Sequence, residues 1–222
     1  MRKLIQGIIE FRRKVRPDYR ETFARLALGQ SPDALLVACS DSRVVPSLFA
    51  SADPGDLFVI RNVGNLVPPC GSDGLCMTDE SGAAAIEFSL LNLEVSDIII
   101  CGHSECGAMR ALLSGRENVK SPHLREWLRH GQSMLKEFPK GIRIDPVLEK
   151  HNELSQLNVL QQMGHLRTYP SVQERLQTGR LRIHGWWFDI AKADVYAFED
   201  SVHQFVLIDD EEATRILERL GD

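Results

Sequence analysis

The sequence predicts an α/β fold with a mainly parallel central sheet flanked by helices and an antiparallel strand extension at the C-terminal end. Three observations carry that expectation. Residues 34–38, 56–60 and 97–101 form short apolar runs with few alternating polar residues, the pattern of strands covered on both faces. Between the second and third runs lies SGAAAIEFSLLNLEV, whose Ala- and Leu-rich helical period makes a strand–helix–strand crossover. Late in the chain, LRIHGWWFDI, DVYAFE and HQFVLID are separated by polar turns and read as a strand followed by hairpin partners.

The remaining elements follow in order. The opening MRKLIQGIIEFRRKVRPDYR reads as an amphipathic helix with Leu4, Ile5, Ile8, Ile9 and Phe11 on its buried side. A partner-docking helix fits the same pattern, so residues 1–30 are expected to form an arm that docks on a partner subunit. A membrane-surface helix is disfavoured because Glu10 and Asp18 dilute the basic face. Pro46 and the run after it suggest a short helix behind the first strand. Asp79 and Ser81 are both plausible N-caps for the crossover helix. Residues 121–176 are mostly helical in pattern, interrupted by Pro139 and Pro146, and residues 211–220 form a final amphipathic helix. With no repeat, low-complexity tract or linker, residues 1–222 read as a single domain.

Composition narrows the function. A 222-residue chain can bury about 70% of its unfolded surface, so it needs no disulfides to hold a core. A formal charge of −5 offers nothing to nucleic acid or an anionic membrane. No apolar run suits a secretory signal or a membrane span, and the cytoplasm is the expected location. Cys39, Cys70, Cys76, Cys101 and Cys106 are odd in number, which favours metal or catalytic use over a disulfide framework.

Chemistry concentrates at two strand ends. VACSDSR puts Cys39, Asp41 and Arg43 at alternating positions just where the first run stops. An extended segment would point all three the same way. The third run ends in CGHSECGAM, with His103 and Cys106 three apart at a strand-to-helix turn. If the first and third runs are neighbouring strands, Cys39, His103 and Cys106 converge. Two thiolates and an imidazole suit Zn²⁺, and three protein ligands leave a fourth position for water. Singly, each residue also has a plain reading as a buried hydrophobe or a structural ion pair.

Together, ACSDSR and GHSECG resemble the β-class carbonic anhydrases. GDLFVIRNVGNLVPP (residues 55–69), SGAAAIEFSLLNL (81–93) and LRIHGWWFDI extend the likeness over most of the chain. The resemblance implies zinc-dependent, reversible hydration of CO2 to bicarbonate and a proton through zinc-bound hydroxide, with one Zn²⁺ per subunit. It makes Cys39, His103 and Cys106 the zinc ligands and Asp41 and Arg43 the catalytic pair, Asp41 being a fourth ligand in a closed state. Gln30 matches a glutamine that holds substrate from the neighbouring subunit, which implies a homodimer with shared sites, often joined into tetramers or larger assemblies. The N-terminal helix and the hairpin strands after Gly185 are the expected contacts. Phe58, Val63 and Phe88 match the apolar pocket, Phe88 replacing a frequent tyrosine. With Gln30 present and Leu36 where a second subfamily has tryptophan, the chain resembles the plant-like subfamily.

Some alternatives stay open. Enzymes acting on carbon disulfide or carbonyl sulfide use the same kind of site, and a zinc scaffold that has lost catalysis would keep only the ligands. A thiol redox protein would need a spacing that Cys101 and Cys106 lack. Cys70 and Cys76, in PPCGSDGLCM, read as a second metal pair, a redox switch or ordinary loop cysteines.

Overall fold

Strands β1 (Ala34–Cys39), β2 (Leu57–Asn62), β3 (Asp97–His103), β4 (Arg182–Asp189), β5 (Asp194–Glu199) and β6 (Gln204–Leu207) form one sheet in the order β2-β1-β3-β4-β5-β6. The first four strands in that order run parallel, and β5 and β6 continue antiparallel. The computed structural model describes residues 1–135 and 141–221, so the expected break at Pro139 lies outside the described residues.

Burial on both faces explains why β1 is apolar throughout. Leu35 and Val37 join a core with Ile98, Ile100, Leu90 and Val159, while Leu36 and Ala38 face Ile99, Cys101 and Phe188 on the other side. This period-2 division is what a central parallel strand demands. Helix α4 (Glu80–Leu91) makes the crossover from β2 to β3. Of its two expected caps, Asp79 is the one used: its carboxylate accepts from Gly82 N–H at 3.0 Å, and Ser81 lies inside the helix.

The C-terminal helices follow the sequence pattern less evenly. Residues 121–135 form α6 (Pro122–Trp127) and two short 3-10 turns, whereas α7 (Lys150–Leu166) is long and lies over β3 and β4. Two strand glycines permit that approach. A Cβ on Gly102 would meet Val159 Cγ2 at 2.7 Å, and one on Gly185 would meet Met163 Sδ at 2.8 Å. Helix α8 (Pro170–Gln177) and α9 (Asp210–Leu220) complete the set with α3 (Pro46–Phe49) and α5 (Gly107–Leu113).

One expectation is corrected. The N-terminal region is helical, as α1 (Arg2–Glu10), a π-helical turn (Phe11–Val15) and α2 (Arg16–Leu26), yet none of its residues is buried. Leu4 is 65% and Ile8 62% exposed, because no other described element of the protomer covers that face.

Beside α6, His130 is buried, stacks edge-on with Trp127 at 5.5 Å, and finds no hydrogen-bond partner for Nε2 among the described residues. Burial, then the charges of Arg129 and His165, bring its pKa down to about 4. Between about pH 6.5 and 4 the unfolded chain therefore binds a proton that the folded chain refuses, so stability falls as pH falls through that window. Urea unfolding at pH 7 and pH 5 is expected to show a smaller loss for His130→Gln than for the unsubstituted protein.

Candidate metal centre and active site

The site is assembled by strand register. β1 and β3 pair in parallel with Ala38 opposite Cys101, so Cys39 and His103 emerge from the same end of adjacent strands. Cys106 follows one turn later as the N-cap of α5. The ligand-type atoms of Cys39, His103 and Cys106 all lie within 4.8 Å of one another, and all three residues are buried.

The donors suit a metal of the zinc kind. His103 Nδ1 lies 2.7 Å from the Ser104 carbonyl, which fixes a proton on Nδ1. Nε2 then carries the free lone pair, and it is a buried atom with no partner among the described residues. The two thiols influence each other: the neighbouring Cys106 lowers the Cys39 pKa against the effect of burial, and the Cys39 sulfur, with burial, raises that of Cys106. Gly64 N–H also points at Cys39 Sγ, 3.3 Å away. Gly64 takes φ +85°, a conformation side chains rarely adopt, and a Cβ there would press on Ala108 at 2.9 Å.

Asp41 and Arg43 meet, but by a different route from the one their spacing suggests. β1 stops at Cys39, and residues 40–43 form a turn closed by Val44 N–H on the Asp41 carbonyl at 3.0 Å. Within it, Arg43 Nε reaches Asp41 Oδ1 at 2.9 Å and its Nη2 reaches Oδ2 at 2.7 Å. The Arg43 backbone N–H adds a third bond at 3.0 Å. These bonds to Arg43 hold the Asp41 carboxyl well below the usual carboxylate range. Arg43 also donates to the Glu105 carbonyl at 3.0 Å, tying the turn to the segment between His103 and Cys106.

The other expected residues divide. Phe58 and Phe88 face each other with ring centroids 5.9 Å apart, at the β2 edge of the sheet. Val63 follows β2, is 43% exposed, and accepts from Trp127 Nε1 through its carbonyl at 2.8 Å. Gln30 is exposed and precedes the amino end of β1, whereas Cys39 is at the carboxyl end. The strand between them spans roughly 17 Å, so Gln30 cannot join the site of its own protomer.

Several supporting residues escaped sequence reasoning. Arg61 of β2 donates to the Cys39 carbonyl at 3.0 and 2.7 Å and to the Asp41 carbonyl at 2.7 Å. Ser155 Oγ donates to the His103 carbonyl at 2.7 Å, and Asn152 accepts from Glu105 N–H at 2.7 Å. Glu105 has φ +60°, a strained value for a side-chain-bearing residue, and is held by Arg110, His151 and Asn152. A cation ending the apolar run DLFVIRN is the only prior sign of Arg61.

Fold and site together define an α/β protein with a buried Cys-His-Cys metal-type centre beside a clamped carboxylate. Residues 34–195 match the family model described as carbonic anhydrase. Carbonic anhydrase of Pseudomonas aeruginosa is 39% identical over 93% of this chain and 91% of its own. That of Synechocystis is 37% identical over 93% of this chain and 74% of its own. The solved β-carbonic anhydrase CcaA superimposes with a TM-score of 0.81 at 37% identity, covering 93% of this chain and 98% of that one. The chain belongs to the β-class carbonic anhydrases, a zinc-dependent family, and its reaction is the reversible hydration of CO2 to bicarbonate.

Arg61 carries a testable consequence. Arg61→Met keeps bulk at the strand end but removes the donors to both carbonyls, so the turn loosens. Loss of such a supporting bond typically costs roughly 10–100-fold in activity or metal affinity. The variant is expected to hydrate CO2 more slowly, with its unfolding midpoint changed less than its turnover.

Proposed function

We propose that Cys39, His103 and Cys106 hold one Zn²⁺ per subunit and that Asp41, clamped by Arg43, orients the reacting oxygen for attack on CO2. The observation that carries this reading is the buried His103 Nε2, unpartnered among the described residues, set within 4.8 Å of the sulfurs of Cys39 and Cys106. Zinc there would supply a Lewis acid that lowers the pKa of bound water toward about 7. Two thiolates donate more charge to the metal than imidazoles would, so turnover should rise toward alkaline pH. Asp41, kept ionised by Arg43, is an acceptor only and takes a hydrogen bond from the attacking oxygen, which leaves one lone pair for carbon. Without Arg43 the carboxylate is free to swing to the metal and close the site.

The rest of the reading concerns assembly. Gln30 serves the site of a neighbouring subunit, donating its amide N–H to the oxygen on which charge develops, and Phe58, Val63 and Phe88 form a small apolar pocket for CO2. This makes the enzyme a plant-like member of the class and at least a homodimer. The distance between Gln30 and the strand end of its own protomer supports the sharing, and the uncovered Leu4, Ile5 and Ile8 support an arm that docks on the partner. Relatives from Sordaria macrospora, 27% identical with a TM-score of 0.71 over 88% of this chain and 95% of that one, are described as tetrameric, which favours assemblies beyond the dimer. Five cysteines, all free, fit the cytoplasm.

Stopped-flow CO2 hydration on zinc-assayed protein tests the chemistry. Turnover is expected to rise with pH. Arg43→Ala is expected to keep zinc and lose roughly 10–100-fold of activity; full activity would refute the clamp. For the assembly, Ile8→Glu is expected to shift the sedimentation profile toward monomer and to lower activity. Gln30→Ala should lower activity with assembly intact. A fully active monomer would overturn the shared site.

A further inference from the structure

The loop that leaves the active site after β2 contains two cysteines with no part in the chemistry above. Cys70 and Cys76 flank a tight turn. Gly71 N–H bonds to the Leu75 carbonyl at 2.9 Å and Gly74 N–H to the Gly71 carbonyl at 2.9 Å. The bond between residues 71 and 75 sets 70 and 76 beside one another as the next pair outward, the kind of pair whose α-carbons approach to disulfide range. Cys76 Sγ confirms the approach from its side: it lies 3.3 Å from the Pro68 carbonyl and 3.8 Å from that of Pro69, the peptide oxygen immediately before Cys70.

The two thiols differ in access. Cys76 is buried, with the Tyr169 hydroxyl 3.2 Å from its sulfur. Cys70 is half-buried and lines an open cleft of about 520 Å³ together with Asp73, Arg167, Thr168 and Gln173. Its backbone is anchored by Thr168 Oγ1 at 2.8 Å. An outer thiol in a cleft with a guanidinium, backed by an inner thiol, is the arrangement of an attacking and a resolving cysteine.

We propose that Cys70 and Cys76 form a thiol–disulfide site that reacts with a small, anionic disulfide of the oxidised-glutathione type. The Cys70 thiolate attacks one sulfur of the small disulfide, forming a mixed disulfide and releasing one glutathione thiolate. The Cys76 thiolate then attacks Cys70 Sγ, closes the internal disulfide and releases the second. The two cysteines are oxidised by two electrons, the small disulfide is reduced by two, and the two cysteine protons end on the departing thiols. Arg167 supplies a counter-charge for the carboxylates of the reagent. The closed bond would stiffen the middle of the loop that runs from Gly64, whose N–H faces Cys39, to Asp79, which caps α4.

Burial, and then the neighbouring Cys76, hold the Cys70 thiol up to about 11, so the first exchange should accelerate as pH rises. The other free cysteines are distinguishable. Cys101 is buried in the sheet with its thiol pushed up to about 12, and Cys39 and Cys106 are buried and would be covered further by the zinc proposed above.

The experiment uses zinc-loaded protein equilibrated with oxidised glutathione, then alkylated and mapped by fragment-ion mass spectrometry. The expected result is paired loss of the Cys70 and Cys76 thiols in one internal disulfide, restored by dithiothreitol, with zinc retained. Cys76→Ser should stop at one glutathionyl group on Cys70, and Cys70→Ser should leave Cys76 free. Both thiols unreacted, a mixed disulfide on Cys70 that never closes in the unsubstituted protein, or loss confined to Cys39 and Cys106 would each overturn the proposal. Mapping of the unsubstituted protein decides the matter even if a serine variant fails to fold.

Discussion

The parallel pairing of β1 with β3 is the constraint on which the site depends. Their register, Ala34 opposite Asp97 through Ala38 opposite Cys101, sends the chain out of the sheet at Cys39 and His103 side by side. A one-residue slip would send every side chain of β1 to the opposite face, against a different set of neighbours. Leu35, Val37, Ile98 and Ile100 on one face, with Leu36, Ala38 and Ile99 on the other, therefore fix the positions of the metal-type ligands as firmly as they fix the core. The apolar core and the chemistry share one determinant.

Helix α7 turns that alignment into a rigid centre. Loops at a strand end carry backbone groups that the sheet no longer pairs, and burial makes each one costly if left unmet. One face of α7 meets them in sequence. Asn152 accepts from Glu105 N–H, Ser155 bonds the His103 carbonyl, Asn158 donates to the Gly64 carbonyl at 2.9 Å, and Gln162 accepts from Val67 N–H at 2.8 Å. Those polar residues spoil the apolar stripe expected of a core helix. They are buried because they hold the loops.

This also explains what the sequence makes legible. The three apolar runs read as strands to within one or two residues. The strands run a residue or two beyond the apolar runs because the ladder continues into polar residues, as at Asn62 and His103. Cys39, Asp41, Arg43, His103 and Cys106 stand out because each motif is local. The meeting of Asp41 with Arg43 was foreseen for the wrong reason, since a turn and not a strand brings them together. Arg61 and Ser155 act on the site through backbone carbonyls 22 and 52 positions away, and no local pattern announces such a bond. The apolar face of α1 is legible as a face that needs cover, but amphipathicity does not record which chain supplies that cover.

The same geometry separates two mechanical tasks. The Cys-His-Cys group comes from strand ends and a helix cap. His103 is fully buried, and Cys39 and Cys106 are nearly so, so any displacement must disturb the core. Asp41 and Arg43 belong to a turn in which the Arg43 side chain is 48% exposed. Ion pairs open to water contribute about 0–1 kcal/mol each, far less than the packing that fixes the strands. The turn is therefore the soft part of the site. Its hold rests on several weak bonds acting together: two from the Arg43 side chain to the carboxylate, one from the Arg43 backbone, and those that Arg43 and Arg61 make to nearby carbonyls. If the carboxylate moves on or off a metal, as the proposed mechanism allows, the movement needs only this turn to change. The ligands, set by register, stay where they are.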